Sequence, residues 1–350
     1  MNNNEIKNAA LIAAEKEIVM RMRSSIIARV TAEAKEKGLS GDEEITYIMS
    51  HIHDEMHARS DIPSPEQSIQ SDYLTDIDTL AKSDFLRTGI RTLDNCIAGM
   101  APGDLVSICA LPAHGKSALG MQIAKKVAQQ GHKILLFSFE MNRKQLMDRY
   151  ILSDNTHIDA RKLKVGKLTY DEQNSLKKSL ANISPWLANI TIYAADTIGI
   201  MKVRQIDTIK KIVEQVQPRL VIIDQLNKIE DAKTVWQSDW FKLQEITKEC
   251  KKIATDYNCT VILESQINSK SQSINESHGP AEGQIKGTGA VLEESDIVIV
   301  PYVYPNQGGM EKKKIKIKIL KNRQGPQGYF DCNFYASRYT IYDIDDYEIP

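Results

Sequence analysis

One stretch narrows what this 350-residue chain can fold into more than any other: Leu105–Gly120, LVSICALPAHGKSALG. An apolar, strand-forming run, LVSICA, ends in a short loop carrying Gly115, Lys116 and Ser117. That loop opens straight onto an amphipathic helix, SALGMQIAKKVAQQ. Strand, tight loop and helix in this order aim main-chain N–H groups and the positive end of a helix at one point, which is the cradle a polyphosphate needs. In this P-loop reading Ala110, Pro112, Ala113, His114 and Gly115 line a nucleotide, Lys116 reaches the β- and γ-phosphates of ATP, and the Ser117 hydroxyl ligates Mg²⁺. The loop's first position, where such loops usually carry glycine, is Ala110.

Charge and cysteine usage bound the remaining function classes. Lysine and arginine total 45 against 46 aspartates and glutamates, a net charge of −1. Bulk coating of nucleic acid is thereby excluded, and any such contact is local. Cys96, Cys109, Cys250, Cys259 and Cys332 are scattered without CxxC spacing, which suits reduced thiols better than a disulfide framework or a zinc site. Neither a leader-like segment nor a long apolar run is present, so the expectation is a cytoplasmic protein that does not meet a membrane.

Residues 4–60 carry Val19, Met22, Ile26 and Val30 at helical spacing, which predicts a long amphipathic helix. A second helix follows Asp42, a suitable N-cap for EEITYIMSHIHDEM. Together they make a helical module over 1–60. Within it His53 and His57 stand four apart, but HIHDEMH is not HExxH and lacks a further ligand cluster, so a helix face is preferred to a metal site. The Pro- and Ser-containing run SDIPSPEQSIQS begins a linker over 61–84, with SDYLTDIDTLAKS as a short linker helix.

From residue 85 to 350 strands and helices alternate, the mark of an α/β domain with a mostly parallel sheet. Strands are read at Leu105–Ala110, Ile134–Phe139, Ile190–Tyr193, Leu220–Asp224, Thr260–Ser265 and Ile297–Tyr302. Helices include Ser117–Gln130, Arg143–Asp154 and Trp236–Tyr257. KKIKIKILKNR, GYFDCNFY and YTIYD then predict an antiparallel C-terminal edge, with turns at Gly325-Pro326 and Ala336-Ser337. Lys314, Lys316 and Lys318, alternating with isoleucines, read as the solvated face of an edge strand that resists sheet-to-sheet pairing.

In open α/β sheets the ligand lies beyond the carboxyl ends of the strands, so polar residues there face it. LVIID ends on Asp224, placed to hold Mg²⁺ or its waters. ILLFSFE ends on Glu140, suited to polarise an attacking water, and TVILESQ on Gln266, whose amide can sense a γ-phosphate. Any one of them is equally well explained by strand ends meeting solvent; with the P-loop they describe one metal-assisted phosphoryl-transfer site. Lys321 and Arg323 precede a Gln324-Gly325-Pro326 turn, and Arg323 has the planar fork of a residue donated to a neighbour's phosphate. The polar segment Asn268–Gly289 is either a loop gripping a phosphate backbone or merely a mobile loop.

From about residue 85 to 343 the chain resembles the motor domain of DnaB-type replicative helicases. TGIRTLDNCIAGMAPGDLVSICALPAHGKS, FSFEM, KLKVGKLTYDE, VIIDQLNKI, LESQINS, QIKGTGAVLEESD and KNRQGPQG resemble that family's segments in order and separation. The resemblance implies a RecA-like fold, a homo-oligomer of six subunits (a hexamer) and ATP·Mg²⁺ hydrolysis at subunit interfaces. It further implies 5′ to 3′ movement on single-stranded DNA, with duplex unwound in replication. It accounts for Ala110, makes Arg149 an active-site arginine and Lys321 and Arg323 trans-acting, and makes Lys286, Gly287 and Gly289 DNA contacts. Loader or primase partners belong to such a helicase. Residues 1–70 show no match to the family's N-terminal domain, so its collar and primase-docking roles are not carried over.

Four departures stand out. Gln225 follows Asp224 where an aromatic residue is usual, Glu264 replaces an apolar strand residue, and Lys286 and Gly287 stand in for an arginine and an acidic residue. Two other readings of the chain are a RadA- or KaiC-like ATPase that binds DNA without unwinding it, and a nucleotide-switched assembly factor. QIKGTG and KNRQGP favour the helicase over both.

Overall fold

A computed structural model describes residues 31, 33–41, 43–48, 51, 85–154, 157–231, 238–267, 289–307 and 309–345. The chain divides into two units, Met1–Ser83 and Asp84–Pro350. In the first, residues 33–36 and 43–48 are helical, and His51 Nδ1 donates to the Tyr47 carbonyl (2.9 Å) while the imidazole stacks on the Tyr47 ring. Asp42, His53, His57 and the 71–83 linker helix lie outside the described residues.

The second unit is built on one nine-stranded sheet. Its elements in chain order begin with α1 (Arg91–Ile97), β1 (Leu105–Ala110), α2 (Lys116–Gln129), β2 (Ile134–Ser138), α3 (Arg143–Asp154), α4 (Ala160–Val165) and α5 (Tyr170–Leu187). There follow β3 (Ile190–Ala194), α6 (Ile200–Val203), α7 (Ile206–Val216), β4 (Leu220–Asp224), α8 (Asp239–Asp256), β5 (Thr260–Gln266) and α9 (Gly289–Glu294). The chain closes through β6 (Ile297–Val303), β7 (Lys312–Asn322), β8 (Gly328–Tyr335) and β9 (Thr340–Asp343). The strand order is β3-β2-β4-β5-β1-β6-β7-β8-β9; neighbours from β3 to β6 pair parallel, and β6 to β9 antiparallel.

The central strands are apolar on both faces because helices cover both faces. Val106, Ile108, Leu220, Ile222 and Ile262 join α2, α3 and α5 in one core; Leu105, Cys109, Val221, Ile223, Val261 and Leu263 join α7 and α8 in another. Burial raises the Cys109, Cys250 and Cys259 thiols to about 12, and among the described residues no disulfide forms. The C-terminal strands are tied back to the start of the unit. Asp343 on β9 accepts the Arg91 and Thr92 N–H groups (2.8 and 3.1 Å), capping α1, and Gln122 on α2 exchanges two hydrogen bonds with the Ile341 backbone at 2.8 Å.

One expectation fails. β7 is not an edge strand but lies between β6 and β8; Lys314 is exposed, but Lys318 is half-buried and Lys316 buried, so the three do not form one solvated face. Lys316 is only 4% exposed, with its ammonium 3.8 Å from the Tyr329 ring centroid, 5.5 Å from that of Tyr304 and 3.6 Å from Asp331. Aromatic faces and a carboxylate satisfy the buried charge, which an alternating Lys–Ile pattern does not disclose.

Candidate nucleotide site

The P-loop joins β1 to α2 at the carboxyl end of the parallel strands. Gly115 sits at φ 87°, and a Cβ there would come to 3.2 Å from Ile315 Cδ1, so the turn needs glycine for both conformation and space. No side chain caps α2, which leaves its first N–H groups directed at whatever fills the loop.

The strand ends deliver the rest. Parallel register sets Asp224 beside Ser138 on one side and Glu264 on the other, and Ala110 beside Gln266. The Lys116 ammonium is hydrogen-bonded to Asp224 Oδ1 and to Glu264 Oε2, the latter at 3.0 Å, while Ser117 Oγ donates to Asp224 Oδ2 at 3.0 Å. Burial works against the charged Lys116, but Glu264 and Asp224 outweigh it and hold the amine above its ordinary value. Glu264 is 2% exposed; burial first and Asp224 second push it up to about 8, against the pull of Lys116. Glu140, just past the end of β2, is exposed, and its Oε1 accepts a 2.6 Å hydrogen bond from Gln225 Nε2. Gln225 is 2% exposed, and its side-chain Oε1 is buried without a partner among the described residues.

Over these groups lies a cleft of about 470 Å³. Ala110, Pro112, Ala113, Gly115, Lys116, Ser117, Glu140, Arg149 and Gln266 line it, so most residues picked from the sequence converge at one place. Asp224 lies beneath, 2% exposed, bonded to Lys116 and Ser117. Arg149 packs over the Tyr339 ring at 4.6 Å. His114 is placed differently: its ring turns to β6, where Nδ1 accepts the Val303 N–H at 2.9 Å and the imidazole stacks on Tyr302. Burial and the nearby Lys313 charge keep its pKa low, so it anchors the loop as a neutral ring.

Lys313, Phe334, Ala336 and Tyr339 also line the cleft and were not singled out from the sequence. They come from the antiparallel strands and their turn, where only the Ala336-Ser337 turn signal hinted at proximity. Gln225 and Glu264 stood out as unusual residues, but their pairing with Glu140 and Lys116 depends on strand register.

Lys321 and Arg323 stand away from this cleft. Antiparallel pairing sets Asn322 against Ile297 at the start of β6 and Ile315 against Val303 at its end. Only the Lys313 end of β7 therefore reaches the P-loop, and Lys321 is about 26 Å further along at ~3.3 Å per residue. There the Lys321 ammonium donates to the Leu292 and Glu293 carbonyls (2.5 and 3.0 Å) at the end of α9, a placement that suits a cation. Arg323 Nη1 meets Asp296 Oδ1 at 3.1 Å and its side chain is 51% exposed. Gly289 opens α9, 3.8 Å from Trp240 Nε1 at the position of a Cβ, whereas Lys286 and Gly287 lie outside the described residues. Among the described residues no helix is long and apolar enough to cross a membrane, and no cluster of three or more His, Cys, Asp or Glu is set to hold a metal.

Comparison with known proteins agrees with this geometry. Residues 86–343 match the family model of the DnaB-like helicase C terminal domain. The chain is 28% identical over 250 residues to the replicative DNA helicase DnaB of Geobacillus stearothermophilus, covering 71% of this chain and 54% of that protein. It is 29% identical, with the same coverage, to the replicative DNA helicase DnaC of Bacillus subtilis (strain 168). It thus spans about half the length of these relatives. Among solved structures, one ATPase domain superposes with a TM-score of 0.69 at 22% identity, covering 79% of this chain and 99% of that one. A DnaB-like replicative helicase, solved in a study of its interactions with primase, gives 0.67 at 20% identity over 95% of this chain and 78% of that one. These two establish the RecA-like fold, and the family match, running through the P-loop, the Asp224 strand and the C-terminal strands, shows that the chain belongs to the DnaB-like helicase C-terminal domain family.

Proposed function

We propose that this chain is an ATP-driven DNA helicase of DnaB type, a hexameric ring that translocates 5′ to 3′ on single-stranded DNA and unwinds duplex during replication. The observation that carries the reading is the split of the site. Lys116, Ser117, Asp224, Glu140 and Gln266 meet at one end of the sheet, while Lys321 and Arg323 stand at the other end of β7. An arginine that cannot reach its own nucleotide is useful to a neighbour's, and this supports hydrolysis at subunit interfaces.

Within the cleft, Lys116 and the α2 N–H groups bind and neutralise the phosphates. Glu140, held at one oxygen by Gln225, keeps its second oxygen for orienting the attacking water and accepting its proton. The Ser117 hydroxyl and Asp224 carboxylate, 3.0 Å apart, are the hard oxygen donors Mg²⁺ takes, so these two would hold it. When bound, the ion neutralises charge on the β- and γ-phosphate oxygens. Arg149 and Tyr339 close the cleft's outer side, and Gln266 connects it to the segment carrying Lys286, Gly287 and Gly289, our DNA contacts. In the same reading residues 1–60 form a helical module, 61–84 a linker, and the ring works in the cytoplasm with a loader or primase as partner. Because the family match includes both QIKGTG and KNRQGP, a RecA-like ATPase without unwinding activity is not favoured.

ATPase rate against single-stranded DNA concentration, with native mass measured with and without ATP·Mg²⁺, tests the proposal. DNA-stimulated hydrolysis by a hexamer is the expected result. A monomer or dimer whose hydrolysis ignores DNA would leave the nucleotide site standing and remove the helicase.

A further inference from the structure

The chemistry of a P-loop depends on its lysine being available to phosphate, and here that lysine has a second commitment. Asp224 and Glu264 lie side by side on adjacent parallel strands, on the face that α2 covers, and both bind the Lys116 ammonium. One cation therefore serves two carboxyl groups, and Glu264 is 2% exposed. Room for it is made by Gly120: a Cβ there would collide with Glu264 Oε1, so α2 carries a glycine in its interior despite the cost to the helix. In the reading above Lys116 takes the phosphates and Ser117 with Asp224 takes Mg²⁺, roles that do not call on Glu264. What it adds is a competitor. Every phosphate oxygen that approaches Lys116 must displace or share the hydrogen bond its ammonium gives to a buried carboxyl group.

Resting on the nucleotide-site reading above, we propose that Glu264 is a positioning residue that holds Lys116 back from the phosphates and sets nucleotide affinity low. It competes with the ligand for the ammonium and takes no part in bond making. Such a brake favours exchange of product for fresh ATP, since a weaker grip on the β-phosphate speeds release. The partner group is the nucleoside di- or triphosphate itself, recognised by its β- and γ-oxygens.

Full-length Glu264→Met and Glu264→Leu test this against wild type, with ADP·Mg²⁺ affinity measured by calorimetry and KM and kcat measured for ATP. Removing the competing carboxyl acceptor should tighten ADP·Mg²⁺ binding about tenfold, as expected for one hydrogen bond from a charged group returned to the ligand. KM should fall with it, and kcat should not rise. A merely structural Glu264 would instead show a lower melting temperature with affinity unchanged or weakened, and that result in the variants overturns the proposal. So would a higher kcat at unchanged KM, which places the carboxylate in the chemistry. Glu264→Met keeps the length of the side chain without an acceptor and remains decisive where Glu264→Leu fails to fold. Wild type that does not bind ADP·Mg²⁺ at all would contradict the nucleotide site, a different failure from equal affinities in wild type and variants.

Discussion

Glu140 and Gln225 show how one side chain depends on another. The Gln225 amide fixes one Glu140 oxygen at 2.6 Å, so the carboxylate is oriented before substrate arrives. Glu140→Gln is expected to retain ATP binding, measured by equilibrium titration, while hydrolysis falls by at least ~100-fold, the usual worth of a general base. Undiminished turnover would remove its assigned role. Tyr150 makes the opposite point. Its hydroxyl is buried without a partner, its ring packs edge-on against Trp186 at 5.3 Å, and burial and Glu264 raise its pKa above the ordinary phenol value. Tyr150→Phe keeps the ring and removes an unsatisfied group, so urea unfolding should show stability unchanged or raised by up to ~1 kcal/mol. A loss of that size would mean the hydroxyl has a partner. At this scale the sequence was informative wherever chemistry ends a strand: Asp224, Glu140 and Gln266 could be picked because an apolar run stops at each. It was silent on pairs such as Lys116–Glu264, which exist only once β4 and β5 are set in register.

Elements follow a similar division. The P-loop strand and helix, α3 and β4 were legible almost to the residue, since hydrophobic period and turn residues are local signals. β7 was not. Whether a strand is an edge depends on what pairs with it, and β8 returns through a turn to pair with β7 and brings Tyr329 over Lys316, which is left 4% exposed. α5 shows what a local signal does fix. Thr169 and Glu172 form a reciprocal capping box: Glu172 Oε2 accepts the Thr169 N–H at 2.8 Å and Thr169 Oγ1 accepts the Glu172 N–H at 3.3 Å. Thr169→Ala should cost about 1 kcal/mol in urea unfolding. The Thr169 N–H above all, and then Lys162, hold the Glu172 carboxyl down at about 2 from its usual 4.5. A depressed folded-state value means that the ionised form stabilises the fold. That contribution is fully present above pH 4.5 and disappears as pH falls through about 2. Wild type should therefore exceed Glu172→Gln in stability at pH 6, with the difference shrinking on acidification; a constant difference would contradict this account.

Over the whole molecule, the parallel half of the sheet gathers Lys116, Ser117, Asp224, Glu140 and Gln266, and the antiparallel half reaches two places. Its P-loop end supplies Lys313 and, through the β8–β9 turn, Tyr339 to the cleft; its far end carries Lys321 and Arg323, fastened to α9 and Asp296. The order of motifs along the chain announced the two sets of residues, but only the direction of β7 shows that they stand at opposite ends of that strand. In the proposed reading a site divided this way is completed by a second copy. The direct test is the ATPase rate of Arg323→Ala and Glu140→Gln proteins, each alone and after mixing with subunit exchange. Each variant alone should be nearly inactive. Mixing creates interfaces with an intact Glu140 on one side and an intact Arg323 on the other, and the account predicts hydrolysis well above the sum of the two. Mixtures that show only that sum, despite confirmed co-assembly, would contradict a nucleotide site shared between protomers.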